Sequence, residues 1–512
     1  YMSKRLVTRI FSFLFRYRFR RIRHFIDNPL SVQEKVFKDL ISRGSHTLWG
    51  EKYNYSQIKN IKDFEQNVPL STYEDIFPFI EKMMNGERDI LWPGKIKWFA
   101  KSSGTTNDRS KYIPVSKESL KDGYFKGGKH AVSIYLNNFP SSKIFECQSL
   151  FITGSLSPVN ENLNIKAGDV SAVMFKNSPL WTNGMRVPHQ DIALLPHWEE
   201  KADLIIENAK KYNVASMYGT PTWVLILIEK ILKKNNTASI FDIWPNLEVF
   251  FHGAVSFVPY KMIFSELIYP RKINYVEVYN ATEGFFAVQD DMSKDGEMLL
   301  LLDVGIFYEF IPMDVFGKEN QYAVTLKNVV LDRNYAIVIS TNAGLSRYII
   351  GDTVKFTSLY PFRIKITGRT KHFINAFGEE LIVENAEQAI SIACTKTDCL
   401  VKSFTAGPIF MDKDKSGAHE WIIEFLKAPL DHENFFNLID ENIKNLNSDY
   451  EAKRKGDVIL GKPIFHVAPE GTFYKWMKQR EKLGGQHKVP RLSNDRFYIE
   501  QILIILENGD NT

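Results

Sequence analysis

The sequence predicts an α/β protein in which a large, multi-layer N-terminal domain is followed by a smaller α+β C-terminal domain. Three observations carry this expectation. The chain has 512 residues, more than the roughly 100–200 usual for one domain. Between about residues 98 and 366, short β-rich runs (SLFITGS, EVFFHGA, INYVEVYNA, LLLLDVGIFYEFI, YAIVIST) alternate with helical ones (ADLIIENAKKY, PTWVLILIEKILKK), as layered α/β architecture requires. Beyond Gly368 the pattern restarts with a helix-like VENAEQAISIA, a strand-like HEWIIEFL, a polar helical FFNLIDENIKNL and a terminal FYIEQILII.

Taken in order, residues 1–95 read as a mostly helical lead-in. Lys4, Arg5, Arg9, Arg16, Arg18, Arg20, Arg21 and Arg23 all precede the first acid, Asp27, and account for the net charge of +5. Phe11, Phe13, Leu14, Phe15 and Phe19 interleave with them. Such a basic amphipathic helix can meet a membrane surface; the plainer expectation is that its aromatic side packs on the body while its arginines stay solvated. No nucleic-acid recognition motif accompanies the charge, so no nucleic-acid partner is expected. Next, SVQEKVFKDLISRG carries a helical stripe of Val32, Val36, Phe37, Leu40 and Ile41, with Ser31 and Glu34 as a capping box and Gly44 as a stop. The strands that follow are mostly continuous apolar runs, which suits sheets covered on both faces.

Composition narrows the function classes. The longest apolar runs, such as Met298 to Leu302 or Val224 to Ile228, fall far short of the ~20 residues a membrane span needs. Cys147, Cys394 and Cys399 lack paired metal-ligand spacing and read as small buried hydrophobes in a reducing cytoplasm. His189, His197 and His252 show no metal spacing either. The chain is expected to act as a monomer on small molecules.

Four segments carry chemistry. In WFAKSSGTTNDRSKYIPVS a strand runs into Ser102, Ser103, Gly104, Thr105 and Thr106, followed by Arg109 and Lys111; hydroxyls, backbone amides and a lysine can surround phosphate oxygens. No GK[ST] follows at Walker spacing. In EVYNATEGFFA a strand ends in Tyr279, Asn280, Thr282 and Glu283, and a carboxylate at a strand's carboxyl end can hold Mg2+ against phosphates. In SRYIIGDTVKF, Asp352 at a strand end could accept two ribose hydroxyls. In ITGRTKHFINAFGEELIVENAEQ a glycine-bounded turn carries Arg369 and Lys371.

In order and spacing these segments resemble the acyl-adenylate-forming superfamily of acyl-CoA synthetases, luciferases and adenylation domains. VPLSTYEDIFPFIEKMMNGE, ILWPGKIKWFAKSSGTT, GIFYEFIPMD and GGQHKVPRL are similar to the Gretchen Hagen (auxin-responsive) acyl-acid amido synthetases, a family known from plants and also of bacterial type, over nearly the whole chain. The resemblance implies a large N-terminal adenylation domain over residues 1–368, a hinge at 369–372 and a small mobile domain over 373–512. It implies ATP as nucleotide and Mg2+ as metal. Ser102 to Thr106 match the phosphate loop, with Thr105 a catalytic member, and Lys111 stands beside it. Gly253 and Ala254 fall in the adenine-lining loop; Tyr279 packs on adenine, with Asn280 beside it; Thr282 meets phosphate and Glu283 binds magnesium. Asp352 and Arg369 hold the ribose. Lys371 is the hinge residue, and Lys488, accompanied by Arg491, approaches the reacting carboxylate.

The chain departs from plant members at Asn107, where they usually have glycine, and asparagine tolerates the left-handed turn. Asp108 adds a negative charge nearby, and NAFGEEL replaces the plant hinge segment. The implied activity is adenylation of a carboxylic acid followed by acyl transfer to an amine, an amino acid by expectation. The alternatives are an acyl-CoA ligase sharing the adenylation step and a non-catalytic binding protein that keeps the fold. For the acyl pocket, Lys126, Lys129 and His130 could face a substrate carboxylate or solvent, and Trp223 and Phe285 could line an apolar site or the core.

Overall fold

The structure, a computed structural model, describes residues 4–102, 111–254, 257, 260–370, 373–374, 376–377, 379, 381–410, 416–455, 460–484 and 487–509. Lys4–Asp27 (α1) and Pro29–Gly44 (α2) open a helical lead-in that continues through Tyr73–Met84. α2 starts earlier than the Ser31 capping box predicts: Asn28 takes the cap position without a side-chain hydrogen bond, and Pro29 occupies the first turn. Proline's missing amide has no helical partner at that position, and its fixed φ is already helical. The predicted stripe faces inward, with Phe37, Leu40 and Ile41 buried.

Trp98–Lys101 and Tyr112–Val115 pair antiparallel in a four-stranded sheet, Lys101 opposite Tyr112. The helix Phe125–Asn138 (α3) follows and packs against α1. The main sheet has twelve strands among the described residues. On one side it is parallel, through Gln148–Phe151, Val214–Gly219, Val249–His252 (β1) and Asn274–Ala281 (β2). From β2 it turns antiparallel, first to Gly284–Val288 (β3) and farther along between Tyr348–Leu359 (β4) and Phe362–Arg369 (β5). β2 is thus the strand where the pairing direction changes, and the carboxyl end of such a strand is where α/β sheets bind ligands. β1 and Ile306–Pro312 are buried at every residue, as continuous apolar runs demand.

Two expectations are corrected. The run LLLLDVGIFYEFI is not one strand but two, Met298–Leu300 and Ile306–Pro312; between them Gly305 has φ +73°, in a turn where a Cβ would collide with the Asn342 side chain. Asp352 does not end a strand: β4 runs through it to Leu359, with the left-handed Gly351 (φ +96°) absorbing the irregularity.

The C-terminal region places Val383–Thr397 (α4) and His432–Leu446 on a three-stranded sheet of Leu400–Ile409, Ala418–Lys427 and Ile464–Ala468. Its own core holds Ile390, Phe404, Trp421 and Phe435. The last helices, Thr472–Gln479 and Phe497–Gly509, instead contribute Phe473, Trp476 and Ile499 to a buried cluster with Trp223 and Trp244 of the large region. No described helix is long and apolar enough to cross a membrane.

Candidate active site

At the carboxyl end of β2, one cavity of about 650 Å3 gathers side chains from segments far apart in the chain. Its wall includes Ser102, Lys111, Ala254, Tyr279, Asn280, Thr282, Glu283, Asp352, Arg369, Lys488 and Arg491. Ser103, Gly104, Thr105, Thr106 and Lys371 lie outside the described residues. Gly253 abuts the cavity through its neighbour, and a Cβ on it would come within 2.3 Å of the Val278 carbonyl oxygen; only glycine lets this loop lie against β2.

The register of the sheet builds the first cluster. Asp352 on β4 stands opposite Arg369 on β5, and Arg369 Nε donates to Asp352 Oδ1 at 2.8 Å. From β2 the Tyr279 hydroxyl donates to the other carboxylate oxygen at 2.5 Å. Burial and the adjacent Asp352 charge push the Tyr279 phenol well above its ordinary range, so the tyrosine stays a proton donor. Burial opposes the Arg369 charge, but Asp352, Glu283 and Tyr279 outweigh it and hold the guanidinium firmly protonated.

The turn after β2 builds the second. Thr282 donates its hydroxyl to Glu283 Oε2 at 2.6 Å, while Tyr124 donates to the Thr282 carbonyl at 2.6 Å and fixes the turn from below. Burial raises the Glu283 carboxyl, against the pull of the Thr282 hydroxyl, Lys111 and Arg369. A cation beside Glu283 would offset that cost of burying its charge. Among the described residues no cluster of three His, Cys, Asp or Glu could hold a metal; magnesium commonly takes one or two carboxylates together with substrate phosphates and water.

Across the cavity, the end of the loop marked by Ser102 and Lys111 is closed by Ser102 N to Lys111 O at 2.9 Å. The Lys111 ammonium sits 5.4 Å from the centre of the Tyr73 ring. Lys488 arrives from the C-terminal region and donates to the Ala254 carbonyl, which is exposed by a left-handed backbone at Ala254 (φ +71°). Burial, then the Arg369 charge, lower the Lys488 ammonium to about 8. Arg491 is anchored rather than mobile, donating to the Tyr260 hydroxyl at 3.0 Å and the Ser403 hydroxyl at 3.1 Å.

Several functional neighbours escape sequence reasoning. Tyr124 gives no local signal, since its role depends on a carbonyl 158 positions away. Glu277 also lines the cavity, and burial raises its carboxyl to about 7; its place two residues before Tyr279, on the same strand face, was the available clue. α4 roofs the cavity through Val383, Glu384 and Glu387, with Glu384 bonded to Lys365 at 2.8 Å and Lys355 at 3.4 Å. Of the acyl-pocket candidates, Lys126 and His130 are bound to Asp303 at 2.8 and 3.0 Å instead. Trp223 and Phe285 are core.

The family model described as the GH3 family N-terminal domain matches residues 18–273, the GH3 family central domain residues 299–369 and the GH3 family C-terminal domain residues 384–497. Indole-3-acetic acid-amido synthetase GH3.3 of Arabidopsis thaliana is 23% identical over 536 aligned positions, covering 90% of this chain and 89% of the relative. The 4-substituted benzoates-glutamate ligase GH3.12 of the same plant is 23% identical, covering 92% and 94%. Among solved structures, the GH3.15 acyl acid amido synthetase superposes with a TM-score of 0.76 at 17% identity, over 94% of this chain and 95% of the other. A 2-hydroxyisobutyryl-CoA ligase bound to 2-HIB-AMP superposes at 0.60 and 12% identity, over 93% and 91%; at these identities both show a shared fold.

Proposed function

The chain belongs to the GH3 family, and on that premise we propose that it is an ATP-dependent, AMP-forming ligase that adenylates a carboxylic acid and passes the acyl group to an amine, with an amino acid as acceptor. The observation that carries the reading is the convergence of Lys111, Glu283, Asp352, Arg369 and Lys488 on one cavity. In the first step a carboxylate oxygen attacks the α-phosphorus of ATP and the bond to pyrophosphate breaks. In the second the amine nitrogen attacks the acyl carbon, the bond to AMP breaks and the nitrogen loses a proton. Neither step needs a covalent enzyme intermediate, so the protein's part is positioning and charge neutralisation.

In this reading Asp352, oriented by its hydrogen bonds from Arg369 and Tyr279, accepts the ribose hydroxyls. Tyr279, Asn280 and the Gly253–Ala254 loop border the base. Thr282, Lys111 and the loop of Ser102, Ser103, Gly104, Thr105 and Thr106 donate to phosphate oxygens. Lys488 neutralises charge at the reacting carboxylate and α-phosphate. Glu283 would hold magnesium, which would supply further neutralisation of the phosphates. The division into residues 1–368 and 373–512 about a hinge at 369–372, with Lys371 as pivot, belongs to the same proposal. It is supported by the family's central model ending at residue 369 and its C-terminal model starting at 384. A cytoplasmic monomer belongs to the same proposal.

The test is acid-dependent exchange of pyrophosphate into ATP across a panel of carboxylic acids, followed by amine and coenzyme A panels with mass detection. An amide product supports the reading; AMP release driven by coenzyme A and by no amine replaces it with an acyl-CoA ligase. Asp352→Ala is expected to weaken nucleotide binding by about 1–3 kcal/mol through loss of charge-assisted hydrogen bonds. Glu283→Ala should instead slow exchange and shift its magnesium dependence. Wild-type exchange in both variants refutes the site assignment.

A further inference from the structure

α1 is apolar on two faces, and the described residues cover only one. On the inner face Phe11 and Phe15 pack on Phe145 with ring centres 5.5 and 5.2 Å apart, and Ile22 and Phe25 are buried. On the outer face Ile10, Phe13, Leu14 and Tyr17, spaced as one helical stripe, are 42, 63, 52 and 56% exposed. A solvated helix face is normally polar, and adjoining exposed apolar groups mark contact sites.

The same stripe runs into positive charge. Between α1 and α2 lies a cleft of about 980 Å3 whose wall includes Leu14, Tyr17, Arg18, Arg21 and Lys35. Four acids share this cleft, Asp39, Glu118, Asp122 and Asp303; Asp303 holds Lys126 and His130, and Asp39 holds Arg43. Arg18 Nε is buried without a hydrogen-bond partner among the described residues. Burial and the neighbouring Arg21 weigh against the Arg18 charge while Asp303 favours it, and on the wall as a whole six lysine and arginine side chains face four carboxylates.

We propose that this cleft and the outer face of α1 dock the protein on an anionic lipid surface, a lipid phosphate seating among Arg18, Arg21 and Lys35 while Phe13, Leu14 and Tyr17 enter the acyl boundary. Apolar stripe and basic cleft are both required: a soluble anion would use the cleft and leave the aromatic stripe without purpose. An interfacial helix combines these two faces, each basic residue adding electrostatic attraction. The proposal stands apart from the ligase reaction, since none of these residues lines the cavity at β2.

The full chain is sedimented with vesicles of phosphatidylcholine alone and of phosphatidylcholine mixed with phosphatidylglycerol, at low and at physiological ionic strength. Binding to the mixed vesicles alone, weakened by salt, is expected. Arg21→Glu with Lys35→Glu should cut it by roughly fivefold per charge removed. Phe13→Ser with Tyr17→Ser should also release the protein; all four side chains are exposed, and an unchanged melting temperature certifies the fold. Equal partition onto both vesicle types, or undiminished binding by either double variant, overturns the proposal. So does a melting-temperature rise with inorganic phosphate, lost in Arg21→Glu/Lys35→Glu, in a protein that ignores vesicles; that result assigns the cleft to a soluble anion.

Discussion

Lys488 concentrates the electrostatics of the proposed reaction in one side chain. Its ammonium is lowered to about 8 by burial and by Arg369. A lysine lowered in the fold contributes stability above its unfolded value of 10.5 and loses it as pH falls through about 8, so the free protein tolerates the charge at a cost. Incoming phosphate removes that cost and makes the charge useful. For the free enzyme, kcat/KM for ATP in pyrophosphate exchange is expected to decline on the alkaline side with a limb near 8. Lys488→Arg should move the limb upward, and Lys488→Met should lower exchange by about 100-fold, the scale of one lost transition-state donor. A limb unmoved in the arginine variant assigns the titration to another group. QHKVPR made Lys488 legible through family likeness. Its contact with the Ala254 carbonyl was not, because that contact joins residues 234 positions apart.

Among elements, the junction between the helical lead-in and the sheet depends on Arg347. Its guanidinium donates to Glu309 Oε1 at 2.8 Å and to the Val68 carbonyl at 2.8 Å, and its own carbonyl accepts from Ser71 N at 2.9 Å. Both charges are almost wholly buried. Glu309→Gln strands the arginine and should lower unfolding stability by about 3–5 kcal/mol in denaturant titration, whereas apolar replacement of both partners should cost far less. If the single and double variants melt alike, the pair is not what joins these elements. The sequence showed most elements in this region, since burial on both strand faces writes itself as continuous apolar runs. It misjudged those whose limits depend on distant contacts. Gly305 divides one apolar run because the Asn342 side chain occupies the space of a Cβ. Asp352 sits within β4 because β5 extends the pairing as far as Arg369. The start of α2 was misjudged for a local reason instead: Pro29 begins the helix without a side-chain cap.

On the scale of the whole molecule, the cavity is shared between regions: β2, β4 and β5 form one wall, and α4 with Lys488 closes it. The order of the motifs made the convergence of Tyr279, Glu283, Asp352 and Arg369 foreseeable. The roof was not, since α4 carries no nucleotide-binding motif and covers the site through Glu384 bonded to Lys355 and Lys365. If the small region swings between half-reactions, those ion pairs break in the motion and Lys371 absorbs it. Lys371→Pro should therefore leave ATP binding nearly intact while slowing overall turnover, in single-turnover assays that follow acyl-AMP formation and consumption separately; wild-type rates in both phases refute the pivot.

The group that holds the Lys488 ammonium is a backbone carbonyl, that of Ala254. A peptide oxygen carries no formal charge, so letting go of it strands no ion. The lysine is thereby berthed instead of locked, and the reach from its resting post to the nucleotide is inexpensive in both directions.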